Sequence, residues 1–375
     1  MMDEVTRRAW AFLSRVVEPP NPLLAELVAT VGAVEAAERI RRRDVRGRLE
    51  RATEARFELD CAEKDLDVLD RMGGRLVTAD DDEWPDLAFR SFDCADRTKR
   101  PQALSPLVLW AVGPARLCDV FERAASIVGT RAATAYGEHV AADLAAGLAE
   151  RDVAVVSGGA YGIDGAAHRA ALASDGETVA VLAAGIDVPY PAGHSALLHR
   201  VSRHGLILSE YPPGARPTRR QFLTRNRLVA ALSGATVVVE AGARSGAANT
   251  AAWAHALGRP VCAVPGPVTS STSVGCHVLL AAGANLVTRA ADVIELVGRM
   301  GELAPDAVRP TSEIDELTEV ELTVYDALPR RGTRTVGDIA VAAGLPVTEV
   351  LGPLAMLDVR GLVTQVEGSW KLTKR

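Results

Sequence analysis

Arg216, Arg219, Arg220, Arg225 and Arg227 lie between Tyr211 and Val239, a window with no Asp or Glu. Five uncompensated cations repel one another unless the loop spreads them or a polyanion meets them. Arg131 projects beside a second turn, where Gly129 ends the apolar run of SIVGTR (126–131). A guanidinium grips a phosphate with two parallel hydrogen bonds, although Arg131 at a surface would equally suit a salt bridge. Phe222 and Tyr161 offer aromatic faces on which bases stack. The chemistry these residues suit is recognition of phosphate or of a nucleic-acid backbone.

A glycine-rich turn accompanies them, SGGAYGID at 157–164. Gly158, Gly159 and Gly162 permit a tight turn and close backbone approach, and the helix that follows aims its first amides and positive dipole end at an anion. Ser157 is placed to donate to a phosphate oxygen, and Asp164 to cap its helix. A tight strand–helix turn with no ligand would use the same glycines. Arg225-Asn226-Arg227 is read as opening a helix, with Asn226 either its cap or a ligand contact. Glu240 ends a strand, where it would hold a ribose hydroxyl or, by preference, pair with an arginine of the RNR segment. Arg244, Ser245 and Gly246 follow it, with Asn249 and Thr250 one helical turn on. Asp164, Glu240, Ser245 and Gly246 are therefore supporting residues.

Other chemistries lack their residues. GxxxxGK[ST], the strict GxGxxG and GxSxG are all absent, which removes the P-loop, weakens dinucleotide binding and leaves no hydrolase elbow. His168, His194, His199 and His204 have no Cys or carboxylate at ligand spacing and read as structural or surface groups. No metal and no cofactor is expected. The five cysteines show no CxxC spacing, which suits a reducing, cytoplasmic compartment. The amino-terminal MMDEVTRRAW lacks an apolar core, so no secretory signal is expected, and no apolar run is long enough to insert in a membrane. A net charge of −6 excludes a uniformly basic surface but not a local arginine stripe.

The elements that must position these turns are regular. From residue 124, short β-branched runs alternate with helical stretches. Such runs read as strands buried on both faces of a mostly parallel sheet, and right-handed crossovers then gather the following loops on one edge. The expected class is α/β: an extended Rossmann-like, mostly parallel sheet with helices on both faces. A small helical domain over 1–72 precedes this sheet domain at 73–298. A polar linker at 299–316 leads to a winged helix at 317–375, with three helices and a two-stranded wing. PLVLWAVG is expected at the sheet edge, and RRRDVRGR (41–48) on a solvated helix face.

Together VGTR, SGGAYGIDGAAH, SEYPPG, RNRLVAALS, VVVEA followed by SG, VPGPV and GCHVLLAAGA resemble the DprA/Smf family of bacterial DNA-processing proteins, over most of the chain. The resemblance implies an extended Rossmann fold with a sterile-alpha-motif-like or helix-hairpin-helix domain before it. It implies a homodimer that binds and protects single-stranded DNA and loads RecA onto it in natural transformation and homologous recombination. Single-strand binding protein and other competence proteins are further partners it suggests, and no catalytic activity is implied. The family's DNA-binding positions carry over to Arg131, Ser157, Gly158, Gly159, Gly162, Arg225, Asn226 and Arg227, with Arg219 or Arg220 in the basic loop. The chain departs from the family pattern at Tyr161, where many members have a basic residue, and at His194, where many have Asn. SGAANTA replaces the usual SGSL-type segment.

Three readings follow. A single-stranded DNA binder predicts that Arg131→Ala or Arg227→Ala weakens binding and lowers its salt dependence. The alternative is a nucleotide-binding or nucleotide-hydrolysing enzyme of the Rossmann-like phosphoribohydrolase superfamily. The PGGxGTxxE-type motif of those enzymes is missing where this chain has EAGARSGAANTA. A duplex-DNA regulator would act through the winged helix, whose interleaved acids suit a protein contact better.

Overall fold

The alternating apolar runs pair into one nine-stranded sheet. In chain order its strands are β1 (Gly74–Thr78), β2 (Val108–Val112), β3 (Ala124–Gly129), β4 (Ala154–Ser157), β5 (Thr178–Leu182), β6 (Leu206–Ser209), β7 (Ala235–Val239), β8 (Val261–Ala263) and β9 (Asn285–Leu286). They lie side by side as β1-β2-β6-β5-β4-β3-β7-β8-β9 in this computed structural model. It describes residues 2–243, 245–298, 314, 317–330 and 332–373. Strands β3 to β9 are all parallel to one another. β2 runs antiparallel to β6, and β1 antiparallel to β2. The PLVLWAV run therefore sits one strand in from the edge, which β1 occupies.

Successive side chains along each strand feed opposite layers. Val156, Val181, Leu208 and Val238 meet the helices Arg219–Ala231 and Gly246–Ala256 on one face. Val155, Ile127 and Val237 meet Ala135–Ala149, Ile163–Ala173 and Ala290–Val297 on the other. Burial on both faces is why these strands are continuous runs of Val, Ile, Leu and Ala rather than alternating ones.

The connections fix where a ligand can enter. From β3 the chain steps outward through β4, β5 and β6, then returns to β7 on the other side of β3 and moves outward again. The loops after β3 and β7 thus diverge, and a crevice opens at this switch in strand order.

The amino-terminal residues form the helices Glu4–Val16, Pro22–Arg41, Gly47–Thr53 and Ala62–Arg71, with Gly32 (φ 80°, ψ 167°) breaking the second. Trp10, Phe12 and Leu13 join a core that includes Trp110, Val112 and Ile207 of the sheet. Within RRRDVRGR, Arg41 pairs with Glu38 and Asp60, Arg42 with Glu38, and Arg43 with Glu50.

The described residues divide into two compact units, one up to residue 298 and one from 317 on, apart from Ile314. The second holds the helices Glu319–Asp326, Val336–Ala343 and Val347–Val359 around Val324, Ile339, Leu354 and Leu357. Its sheet has three strands rather than the two expected: β10 (Arg334–Thr335), β11 (Val363–Val366) and β12 (Ser369–Leu372), in the order β10-β12-β11. The extra strand is only two residues long, too short to leave a periodic signal. Nearly all of the expected linker lies outside the described residues. Among those residues, no single helix is long and apolar enough to cross a membrane.

Candidate nucleic-acid interface

A cleft of about 680 Å³ occupies the crevice at the switch point. The β3 loop (Val128 to Arg131), the glycine-rich turn (Gly158, Ala160, Asp164), the helix Arg219–Ala231 and the start of Gly246–Ala256 form its walls. With Tyr190 of the loop after β5, five separate stretches of sequence thus converge on one groove.

The glycine-rich turn is built from beneath. Asp164 does not cap its own helix. Its carboxylate accepts the amides of Gly158 (3.1 Å) and Ala160 (3.3 Å) in the preceding turn, because it is the second helical residue and points back under the loop. Arg225 lies under the same turn and donates to the carbonyls of Gly158 (2.8 Å) and Val181. A Cβ on Gly158 would lie 2.2 Å from Arg225 Nη1, so glycine is needed here to admit the guanidinium. Gly159 and Gly162 both take φ 72°, which L side chains resist. Burial lowers the Arg225 pKa to about 10, with Asp164 opposing the shift. Burial pushes the Asp164 carboxyl up, and Arg225 is the largest effect pulling it back. The two charges are held inside the protein by each other and by backbone dipoles.

The RNR segment is mid-helix. A capping box between Thr218 and Gln221 starts the helix at Arg219, six residues before the expected opening at 225, so Asn226 caps nothing. Its side-chain amide donates to Asn249 Oδ1 (3.2 Å) and to the Gly246 carbonyl (3.4 Å), tying two cleft helices together. Arg227 is fully buried, turned away from the cleft, and donates to Glu210 at 2.6 Å. Spacing shows that Arg225 and Arg227 leave a helix in different directions; it does not show that both enter the core.

Two further expectations change. Glu240 does not pair with the RNR arginines. It accepts from the Thr134 amide (2.9 Å) and hydroxyl (2.6 Å) and from the Thr272 hydroxyl (3.0 Å), clamping the loops after β3 and β8. Ser157 is fully buried and its hydroxyl donates to the Ile127 carbonyl at 2.6 Å, so it is not brought to the cleft. Ser245 caps the helix that starts at Gly246, accepting from the Ala248 amide at 3.4 Å, and both residues line the cleft. Arg244 lies outside the described residues.

The exposed residues of the groove form a different set. Arg131, Arg219 and Arg220 are all exposed, and the first two line the cleft. The Arg131 guanidinium sits 5.0 Å from the Phe222 ring centre. Phe222 in turn packs against Tyr190 with ring centres 5.4 Å apart. Arg131, Phe222 and Tyr190 thus make a continuous cation–aromatic wall. Tyr161 stands nearby, its ring edge-on to His194 at 4.7 Å, with nearly half its surface exposed. The His194 ring is itself held by the Gly159 carbonyl at 3.0 Å. Among the described residues no cluster of side chains is arranged to hold a metal ion.

Comparison with known proteins sets this groove in a family. The profile of the family described as DNA recombination-mediator protein A matches residues 75–298. The chain belongs to the DprA/Smf family. A Mycobacterium tuberculosis protein carrying the DprA name is 65% identical over 373 residues, covering 100% of this chain and 96% of its own. Protein Smf of Escherichia coli is 33% identical, with 85% and 83% covered. Among solved structures, DNA processing protein A of Streptococcus pneumoniae superposes with a TM-score of 0.62 at 28% identity, covering 79% of this chain and 98% of that one. The Helicobacter pylori protein superposes with a TM-score of 0.50 at 30% identity, covering 59% and 94%, and its structure is described as showing a single-stranded DNA binding mode. The family is one of recombination mediators acting on DNA.

Within this DprA/Smf framework the sequence reading missed Tyr190. Its signal was present: a tyrosine between Pro189 and Pro191, in the loop after a buried strand. Strand-end loops on the crevice edge are where exposed aromatics merit attention.

Proposed function

We propose that this chain is a non-enzymatic single-stranded DNA binder that works as a homodimer in the bacterial cytoplasm, protects the bound strand and delivers it to RecA. The observation that carries this reading is the groove wall in which Arg131 lies over Phe222 and Phe222 against Tyr190, with Arg219 beside them. Phosphates meet exposed guanidinium groups there, and bases have ring faces that only unpaired nucleotides can reach. Family membership among recombination mediators and the single-stranded DNA bound by the Helicobacter pylori relative support it. Glu240, the carboxylate that a nucleotide-processing enzyme would need, spends its oxygens on Thr134 and Thr272, which favours a clamp over a catalyst.

Fluorescence anisotropy with labelled single-stranded and duplex oligonucleotides over a salt series tests the binding step. Preference for the single strand with a steep salt slope is expected. Equal or absent binding would move the reading to nucleotides. RecA filament growth on strands covered by single-strand binding protein, with and without this protein, tests delivery.

A further inference from the structure

The arginines of the groove have a continuation that the groove itself does not use. Between Asp187 and Glu240 the chain has one acid, Glu210, and seven arginines. Glu210 is buried against Arg227, so it cannot neutralise the surface. Arg200 and Arg203 fall in this stretch, on the helix Ser195–His204, and both are exposed. This helix buries Leu197, Leu198 and Val201 and turns His199, Arg200, Arg203 and His204 outward. The neighbouring helix Ile163–Ala173 adds Arg169, also exposed. Among the described residues, Arg169, Arg200 and Arg203 form no ion pair.

The two helices abut at Gly165. A Cβ there would stand 2.5 Å from His194 Cε1 and 3.1 Å from Arg169 Nη1. His194 touches Tyr161, and the Tyr161 hydroxyl would lie 2.3 Å from a Cβ on Gly193. Arg169 is therefore joined to the cleft turn through His194 and Tyr161. Consecutive right-handed crossovers place both helices on one face of the sheet, running the same way from the cleft edge. At about 1.5 Å per residue, Arg169 lies roughly 9 Å along its helix, Arg200 roughly 8 Å and Arg203 roughly 12 Å along theirs. The cations thus form a stripe leading away from the cleft mouth, with Tyr161 at the joint.

We infer that the backbone of a bound single strand leaves the cleft past Tyr161 and runs over the outer face of the helices Ile163–Ala173 and Ser195–His204, held by Arg169, Arg200 and Arg203. This rests on the single-stranded DNA reading of the cleft. Charge and continuity favour nucleic acid over an acidic protein segment. The other exposed residues of the helix Ser195–His204 are small or polar, namely Ser195, Ala196, His199 and His204, whereas a protein-binding patch needs an apolar centre. Asp175 and Glu177 at the far end of the first helix set a limit to the stripe.

The test uses the full chain and two oligothymidylates, of about six and about twenty nucleotides, bracketing the site size of a single groove. The triple variant Arg169→Ala/Arg200→Ala/Arg203→Ala should bind the short strand as the parent does. It should bind the long one at least tenfold more weakly, with a salt slope smaller by about 2 (about 0.7 per cation lost). The corresponding triple Lys variant should recover most of the long-strand affinity, and matched thermal unfolding should show all three proteins folded. If the parent binds neither strand, the cleft reading fails and takes this one with it. If the parent binds both and the triple Ala variant matches it on both, the track is overturned and the cleft stands. Equal weakening on both lengths also overturns it, by making the arginines a general attracting field. So does oligoglutamate that binds the parent already loaded with the short strand but not the triple Ala variant, by assigning the stripe to an acidic protein segment.

Discussion

Arg227 donates from Nη2 to Glu210 Oε1 at 2.6 Å, and both side chains are buried. The contact joins the helix Arg219–Ala231 to the end of β6, and the guanidinium also faces the Phe92 ring at 5.6 Å. Removing one member of a buried pair strands the other charge, at a cost of roughly 3–5 kcal/mol. Arg227→Ala should therefore lose about that much unfolding free energy in urea. The double change Arg227→Met/Glu210→Leu should recover most of it, since neither charge is then left alone. A double variant no more stable than the single one would contradict this.

Asp164 and Arg225 make the same argument closer to the cleft. Asp164 takes two turn amides while Arg225 holds two carbonyls. Asp164→Ala frees both amides and leaves Arg225 buried without its counter-charge, so a loss of about 3 kcal/mol or more is expected. Single-stranded DNA affinity should fall as well, because the turn from Gly158 to Gly162 loses its support. Hydrogen exchange at the Gly158 and Ala160 amides reports the loosening directly, and unchanged protection there would refute the role given to Asp164.

These two pairs also mark how far the sequence could be read. The parallel sheet was legible from its β-branched runs, and the crevice from the turns that end them, because period and turn chemistry are local properties. The arginines were legible as a group but not one by one. Whether Arg227 meets solvent or Glu210 depends on where β6 ends in space, and SEYPPG carries no mark of that. Asn226 could be a cap only if the helix began beside it; the box of Thr218 and Gln221 begins eight residues upstream, among prolines and arginines that read as loop. Ser157 shows the limit on a single residue: the last position of a strand can point up into the crevice or back into the sheet, and the register against Ile127 decides it.

His168 gives the fold a pH dependence of known sign. The Thr178 hydroxyl proton goes to the Val155 carbonyl at 2.8 Å. His168 Nδ1, at 2.7 Å from that hydroxyl oxygen, must therefore be the donor. Burial lowers the His168 pKa to about 3, so the folded ring stays neutral where an unfolded one, with a pKa of about 6.5, is charged. The unfolded state binds the extra proton between those values, and stability falls as pH drops through that window, by up to about 1.4 kcal/mol per unit from this group. His168→Asn keeps a donor and removes the titration. Urea unfolding between pH 6 and pH 4.5 should show a shallower loss in the variant, and parallel curves would sink the assignment.

The carboxy-terminal unit is expected to leave duplex DNA alone. Its helix Val347–Val359, the second of the helix-turn-helix pair, carries Glu349 and Asp358 and no Lys or Arg. It exposes Val347, Leu351, Met356 and Val359. A helix entering a major groove needs cations for the flanking phosphates. Deleting 317–375 should therefore leave duplex affinity within twofold of the full chain at the same salt. A large loss in filter binding would return the unit to DNA.

The cleft wall allows the two parts of its recognition to be separated. Phe222 is neutral and offers a ring; Arg131 lies over that ring and offers a charge. Loss of a stacking platform costs about 1–3 kcal/mol per base whatever the salt. Phe222→Ala should therefore weaken single-strand binding by about tenfold or more with the salt slope unchanged. Loss of a phosphate contact lowers the slope by about 0.7. Arg131→Ala should do this and lose most affinity at low salt, while Phe222→Ala weakens binding equally at every concentration. Because Phe222 also supports Arg131 and Tyr190, the double variant should lose less than the sum of the singles. Anisotropy titrations of all three proteins over a salt series decide it: a changed slope in Phe222→Ala, or an unchanged one in Arg131→Ala, would mean that ring and cation do not divide the work in this way.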